Sequence, residues 1–253
     1  MVPLRSAHRR RLHPITQLGL QRCRRHNAKL RADIQRHCVE PSQVSFNLSR
    51  HSQNHYLRFY KRPFGLVLAS LMLILLSPLL AIVAMAIKLD SPGPVLFRQE
   101  RTGYLGRRFK LLKFRTMIRD AEQQKDQLRD LNIHGDQSPD FKVRDDPRIT
   151  RVGGLLRRTS LDELPNLINV VRGEMALVGP RPTSFEATTY APHQLARLAV
   201  RPGVTGLWQI SGRSDLDFCT RTALDIDYIN RASWWLDLRI LLLTPFRAGK
   251  GAY

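Results

Sequence analysis

Residues 64–87 read FGLVLASLMLILLSPLLAIVAMAI, a run without one charged side chain. At about 1.5 Å per residue a helix of this length reaches across a hydrocarbon core of about 30 Å, so the segment is expected in a membrane. Two features predict that it enters and leaves by the same face. Pro78, near the middle, removes a backbone donor and disfavours helical geometry at Ser77, so a helix-break-helix is expected at Ser77-Pro78, with the Ser77 hydroxyl free to bond a released carbonyl. Arg58, Lys61 and Arg62 precede the run, and Lys88, Arg98, Arg101, Arg107 and Arg108 follow it. Both flanks therefore favour the cytoplasmic side, and a hairpin keeps both there. An ordinary kinked crossing helix is the competing reading.

Working outward from this run, residues 1–55 are rich in Arg, His, Gln and Asn and lack a sustained apolar stripe, which predicts a disordered basic arm. No apolar run precedes Tyr56, so the arm does not read as a secretory signal. A membrane tether, a partner-binding segment or sequence upstream of the true start are equally compatible with it. The 253 residues carry 41 Lys and Arg against 21 Asp and Glu, a formal net charge of +20, which calls for an anionic partner. Nucleic acid, a phosphate-rich bilayer face and a phosphorylated substrate all meet that demand, and no nucleic-acid fold signature selects the first. Cys23, Cys38 and Cys219 are odd in number and widely spread, without the spacing of a zinc site or disulfide framework, which suits a reducing compartment.

Beyond Ser91-Pro-Gly-Pro94, Val95–Arg98 and Arg107–Arg115 read as two short strands joined at 102–106. A polar helix over about 117–131 and a loop over 132–147 follow, and helical patterning resumes near Ile149. The segment Trp234-Trp-Leu-Asp-Leu-Arg-Ile-Leu-Leu-Leu243 is too short and too charged to span. Its tryptophans and apolar face suit a helix lying at the headgroup level, with a core helix as the alternative. The predicted fold is α/β and mostly helical: arm 1–55, re-entrant membrane helix 56–90, and a domain over 91–253 with interfacial amphipathic helices.

Candidate chemistry concentrates in Thr159-Ser-Leu-Asp-Glu-Leu-Pro-Asn166. Read structurally, Ser160 followed by Glu163 is a capping box with Asp162 in the first helical turn. Read chemically, an ionised carboxylate at a helix start can attack phosphorus or hold a divalent cation, and adjacent acids can divide two roles. Arg157 and Arg158 precede the pair. Downstream, residues 173–182 predict a strand running into a stiff Gly-Pro-Arg-Pro turn that carries Arg181, a guanidinium suited to phosphate. The loop 201–213 adds Arg201, Arg213, several glycines and Trp208 as a stacking surface. Asp145-Asp146-Pro147 reads either as a turn opener or as a metal site.

In order along the chain, KRPFGLVLA, the Ser77-Pro78 break, FRQERTG, KLLKFRTM, DPRITRVGGLLRRTSLDELPNLINVVRGEMALVGPRP, VRPGVTGLWQISGR and DIDYI resemble the monotopic phosphoglycosyl transferases, the bacterial sugar transferase family. The resemblance covers roughly 60–253. The arm lies outside it, and the four-helix membrane region of larger relatives has no counterpart in these residues. It implies a re-entrant helix on the inner membrane, a catalytic domain facing the cytoplasm, and transfer of a sugar 1-phosphate from a UDP-sugar to undecaprenyl phosphate in exopolysaccharide or related glycan synthesis. UDP-glucose or UDP-galactose is the favoured donor, and glycan-assembly proteins are further partners. It also implies Asp162 as nucleophile and Mg²⁺ ligand, Glu163 as its dyad partner, Mg²⁺ as cofactor, and Arg181, Arg201, Arg213 and Lys113 as phosphate or nucleotide contacts. A basic membrane scaffold or nucleic-acid-binding protein without enzymatic activity, in which the acidic pair only caps a helix, is the reading it competes with.

Overall fold

The computed structural model describes residues 54–124, 128, 143, 146–212, 216 and 218–247. The arm predicted at 1–55 lies outside them apart from its last two positions. A π-type turn, Tyr56–Tyr60, runs directly into helix α1, Lys61–Asp90. This is the one helix among the described residues long and apolar enough to cross a membrane.

The break expected at Ser77-Pro78 does not interrupt the helix: Pro78 lies inside α1, which carries through it from Lys61 to Asp90. The helical partner that Pro78 cannot bond is the carbonyl of Ile74, four residues earlier. The Ser77 hydroxyl donates to that carbonyl at 2.7 Å. The middle of α1 presents its side chains outward: Ile74 is 70% and Leu75 68% exposed, with Val67, Ile82 and Met85 similar. An apolar surface of this extent marks contact with lipid or another apolar partner.

Both ends of α1 are fastened to the rest of the protein. At the start, Asn54 donates its side-chain amide to the Ala232 carbonyl at 2.9 Å. Tyr56 donates to Asp237 at 2.6 Å, and Lys61 pairs with the same carboxylate and with the Tyr228 hydroxyl. At the end, Arg115 donates to the carbonyls of Ile87 (3.3 Å) and Ser91 (2.6 Å), and Asp90 accepts from the Val152 amide at 3.1 Å. Two apolar clusters repeat the pattern. Ala69 packs with Leu167, Val170, Tyr228 and Ile240, while Val83 and Ile87 pack with Phe114 and Leu156.

Strands β1 (Leu96–Thr102) and β2 (Arg108–Phe114) form the predicted antiparallel hairpin, with Leu96 opposite Phe114 and Thr102 opposite Arg108. The first strand runs four residues beyond its predicted end. The polar helix expected from 117 is not formed over the described residues 117–124, which make a bridge followed by turns. Met117 pairs with Ile149, Ile118 donates to the Arg148 carbonyl, and Arg148 bonds the Ala121 carbonyl at 2.9 Å, so backbone groups a helix would use are already engaged.

Helix α2 (Arg151–Thr159) starts at Thr150, whose hydroxyl accepts from the Gly153 amide at 3.0 Å. Gly153 itself lies against the Thr116 backbone so closely that a Cβ would collide with it. After a 3₁₀ turn at Leu161–Glu163 comes α3, Asn166–Val171. Fully buried Asn169 behaves as an extra strand residue beside β2: its side-chain oxygen accepts from the Leu112 amide (3.0 Å) and its amide donates to the Lys110 carbonyl (2.9 Å). Strand β3 (Ala176–Val178) pairs in parallel with β4 (Gly203–Thr205). Helices α4 (Leu207–Ser211), α5 (Phe218–Arg231) and α6 (Trp234–Arg247) complete the described elements. On α6, Asp237 and Ile240 point inward, while Trp235, Leu242 and Phe246 form an exposed stripe, and Trp234 meets Phe64 of α1 edge-on. Small sheets among many helices give the α/β, mostly helical architecture expected.

Candidate active site

Ser160 does not open a helix with a capping box. It closes α2 in the left-handed region, φ 58, and its side chain makes no cap bond. That conformation costs about 1–2 kcal/mol for a residue with a side chain. The strain sits immediately before Leu161–Glu163, so the chain reverses here and sets both acids against the end of β2. The capping interaction fails because Glu163 has stronger partners. Its carboxylate accepts from Lys113 at 2.9 Å and from both terminal nitrogens of Arg181, one of them at 3.0 Å.

Asp162 differs from its neighbour in this respect. Among the described residues its carboxylate accepts no hydrogen bond, and its nearest cation is the Lys113 ammonium at 3.9 Å. Its side chain is 13% exposed. Burial raises its pKa above the ordinary aspartate value, Lys113 works against that rise, the Glu163 charge adds to it, and Arg181 and Arg157 oppose it. For Glu163 burial also acts upward, but Arg181 and Lys113 outweigh it and hold the carboxyl well below its usual range. Burial disfavours the Arg181 charge, yet Glu163 more than compensates, so the guanidinium stays ionised. The pair therefore consists of one locked, permanently charged acid and one buried acid with unspent acceptor capacity.

Arg181 is held from behind as well. Gly179 lets the end of β3 lie against Arg201 and Gly203, where a Cβ would be too close to both. Pro180 and Pro182 stiffen the turn. The Arg181 carbonyl accepts from Arg197 at 2.9 Å, and Arg197 is paired with Asp225 at 2.6 Å, both side chains almost wholly buried. Burial pushes the Asp225 carboxyl up to about 7 against the pull of Arg197. Sequence reasoning missed Arg197, Asp225 and Asn169 as supports. The only signals were that Asp225 opens the quoted DIDYI run and that Asn169 falls within the quoted run from Asp146 to Pro182.

The structure thus brings Asp162, Glu163, Lys113 and Arg181 together, with Arg157 nearby. Arg201 lies elsewhere, donating to the Gly173 carbonyl at 2.9 Å and stacking over Tyr104. Arg213 falls outside the described residues, as does Asp145. Asp146 is gripped through both carboxylate oxygens by Arg148, at 2.8 and 2.6 Å, and so is committed to structure. Trp208 is buried, with Arg221 over its ring, rather than presented as an open stacking face. The glycines of loop 201–213 serve backbone-to-backbone approach: a Cβ on Gly203 or Gly206 would strike Gly179.

No group of three or more His, Cys, Asp and Glu side chains gathers among the described residues to hold a metal. Magnesium commonly needs only one or two carboxylates, completing its shell with water and substrate phosphate. The free acceptor capacity of Asp162 fits that demand, whereas Glu163 is occupied by its cations.

Comparison with known proteins gives a consistent result. Residues 56–251 match the family model described as bacterial sugar transferase. The chain is 44% identical over 211 residues to the UDP-galactose-lipid carrier transferase of Erwinia amylovora, covering 82% of this chain and 43% of that protein. It is 45% identical to the undecaprenyl-phosphate glucose phosphotransferase of Komagataeibacter xylinus, covering 78% and 37%. It is also 41% identical to the exopolysaccharide production protein ExoY of Rhizobium meliloti, covering 73% and 83%. The chain spans about two-fifths of the length of the first two of these relatives.

Proposed function

The chain belongs to the bacterial sugar transferase family, and from that premise we propose that it transfers a sugar 1-phosphate from a UDP-sugar to undecaprenyl phosphate, priming exopolysaccharide or a related glycan. UDP-galactose or UDP-glucose is the proposed donor, in keeping with the galactose and glucose that the relatives are named for. The observation that carries the reading is the division of labour between Asp162 and Glu163, one carboxylate unengaged by hydrogen bonds and the other saturated by two cations.

An oxygen of the Asp162 carboxylate attacks the sugar-linked phosphorus. The bond from that phosphorus to the bridging oxygen breaks, and UMP departs with the oxygen and its electron pair. Asp162 then carries the sugar phosphate as an acyl phosphate. A phosphate oxygen of undecaprenyl phosphate attacks the same phosphorus, restores the carboxylate and yields undecaprenyl-diphospho-sugar. Two phosphoryl transfers through a positioned carboxylate need charge compensation more than proton transfer. Lys113 and Arg181 supply it, and Glu163 keeps both aimed at the reacting phosphate. Asp162 is the residue that would hold Mg²⁺, which when bound would supply neutralisation of the leaving phosphate. Glu163, held ionised, is not suited to donate a proton, and its role in this scheme is positioning.

The two fastenings of α1 favour one membrane arrangement. Its first turn is tied through Lys61 to Asp237, and its last turn to Arg115 and Val152 of the same folded unit, which suits both flanks lying on one side of the bilayer. That supports a re-entrant α1 dipping into the cytoplasmic face of the inner membrane, with the exposed stripe of α6 lying at its surface. Maleimide labelling of single cysteines placed at Arg58 and at Lys88 in a cysteine-free background should modify both from the cytoplasmic side. Modification of either from outside removes the re-entrant arrangement.

The activity is tested with purified full-chain protein in detergent, Mg²⁺, undecaprenyl phosphate and single UDP-sugars, reading UMP release. Brief exposure to donor alone, followed by acid quench and intact-mass measurement, should show a sugar-phosphate adduct that Asp162→Asn lacks. An adduct on another residue, or none with a donor that does turn over, eliminates the covalent scheme.

A further inference from the structure

At the first turns of α1, Leu57, Leu66 and Val170 help wall a cavity of about 460 Å³ that Arg58, Arg62 and Arg201 also line. It is separate from the reaction centre. Tyr104, in the hairpin turn, lies on its wall, while Lys113 pairs with Phe97 toward the opposite end of the ladder. The five steps along β2 from Arg108, just after that turn, to Lys113 span about 17 Å, at about 3.4 Å per strand residue.

The unusual feature is a pair of guanidinium groups drawn to one glycine. Arg201 donates to the Gly173 carbonyl at 2.9 Å. A Cβ built on Gly173 would come within 3.4 Å of an Arg62 terminal nitrogen. Gly173 has φ 76, a conformation that favours glycine, and its missing side chain leaves room for Arg62. Among the described residues neither arginine has a carboxylate partner. Burial first, and then the Arg62 charge, disfavours ionisation of Arg201, as expected for like charges held together without a counter-ion. An anion between them would remove that conflict, and a phosphate oxygen fork matches the geometry of two guanidiniums.

We propose that this cavity binds the phosphate of an anionic bilayer phospholipid, with an acyl chain laid along Leu57, Leu66 and Val170. The lipid source follows from position. The adjoining turns of α1 expose Phe59, Tyr60, Leu66 and Val67, a belt suited to the headgroup boundary. Asp162, Glu163, Lys113 and Arg181 do not line this cavity, so in the proposal a phosphate held between Arg62 and Arg201 is not presented to the nucleophile, and the site serves to fix the depth and orientation of α1. This inference rests on the cavity and not on the transfer reaction, and either can fail while the other stands.

The test is native mass spectrometry of the full-chain protein in detergent, titrated with phosphatidylglycerol and, separately, phosphatidylcholine. Phosphatidylglycerol should bind at one site at least about tenfold more tightly than phosphatidylcholine, since two guanidiniums without a carboxylate partner among the described residues favour a net anion. Arg62→Gln should weaken that binding about tenfold or more without lowering the unfolding temperature, because Arg62 makes no hydrogen bond to another described residue. Leu66→Asn keeps both guanidiniums and should reduce the preference for longer acyl chains. Asp162→Asn should bind phosphatidylglycerol as the parent does. Equal affinity for both lipids, or no effect of Arg62→Gln, overturns the proposal. Displacement by inorganic phosphate at the same concentration makes this a free-anion site and overturns the lipid assignment. Tighter competition by undecaprenyl phosphate, with a raised KM for it in Arg62→Gln, makes it an acceptor port and overturns it equally.

Discussion

Two carboxylates, Asp162 and Asp237, are both largely buried and both face cations, yet their surroundings differ in kind. Asp237 accepts from the hydroxyls of Tyr56 and Tyr228, each at 2.6 Å, and pairs with Lys61. Its acceptor capacity is taken up by donors from the start of α1 and from α5. Asp162 accepts no hydrogen bond among the described residues and has Lys113 only at 3.9 Å. A buried charge that is fully partnered holds a fold together, and one left short of partners is a reactive group. The neighbouring cations keep Asp162 ionisable without occupying the oxygen that must attack.

The largest effect expected from this contrast is on catalysis. Asp162→Asn keeps the shape and removes the nucleophile, so UMP release should fall by about 10⁴-fold or more, by analogy with the loss of other covalent catalysts. Stability should hold or rise, since a desolvated charge disappears. A variant that is both inactive and unfolded would place Asp162 with Asp237 as a structural anchor. The reverse pattern is expected at the other carboxylate. Asp237→Ala strands the buried Lys61 ammonium and two tyrosine hydroxyls, which costs about 3–5 kcal/mol of stability. Thermal unfolding in detergent reads that loss, while turnover per folded molecule should change little.

What the sequence disclosed tracks how local the determining interaction is. The apolar run, the hairpin from Leu96 to Phe114, the Gly-Pro-Arg-Pro turn and the acidic pair were legible because each is written in consecutive residues. The proximity of Lys113, Asp162, Glu163 and Arg181 was legible through motif resemblance, since no spacing rule brings position 113 to position 163. The supports were not. Tyr56 and Asp237 meet across 181 residues, and Asn169 reaches Leu112 across 57. Such pairings depend on the packing of α1, α5 and β2, which local patterning does not encode. The capping box at Ser160 misled for a related reason: a short-range bond was outcompeted by Lys113 and Arg181, which arrive from elsewhere in the chain. The helix expected from 117 was likewise displaced by contacts to Arg148 and Ile149.

A finer test concerns the cation nearest Asp162. Lys113→Met removes a charge aimed at the reacting phosphate and should cost about 10²-fold in kcat/KM. It should also move the pH profile in a defined direction. Activity requires ionised Asp162, so it is present above that pKa and lost as pH falls through it. Burial has already raised the value and Lys113 opposes the rise. Without Lys113 the acid limb of kcat/KM should therefore shift to higher pH. An acid limb that stays in place while the rate drops would mean that Lys113 contacts substrate without tuning the nucleophile.

The smallest effect separates saturation from mere proximity. Tyr56→Phe removes one of three donors to Asp237 and leaves Lys61 and Tyr228 in place. If the hub is saturated, the remaining pair keeps the carboxylate partnered, and the loss should fall at the lower end of the range for one hydrogen bond to a charged group, about 1.5–3 kcal/mol. That is well short of the cost of Asp237→Ala, and the pH profile of UMP release should not move. A loss for Tyr56→Phe as large as that for Asp237→Ala would show that Lys61 cannot hold Asp237 alone with Tyr228. The hub would then be as finely balanced as the Asp162 corner, and the distinction between an anchoring and a reacting carboxylate would have to rest on position rather than on partner count.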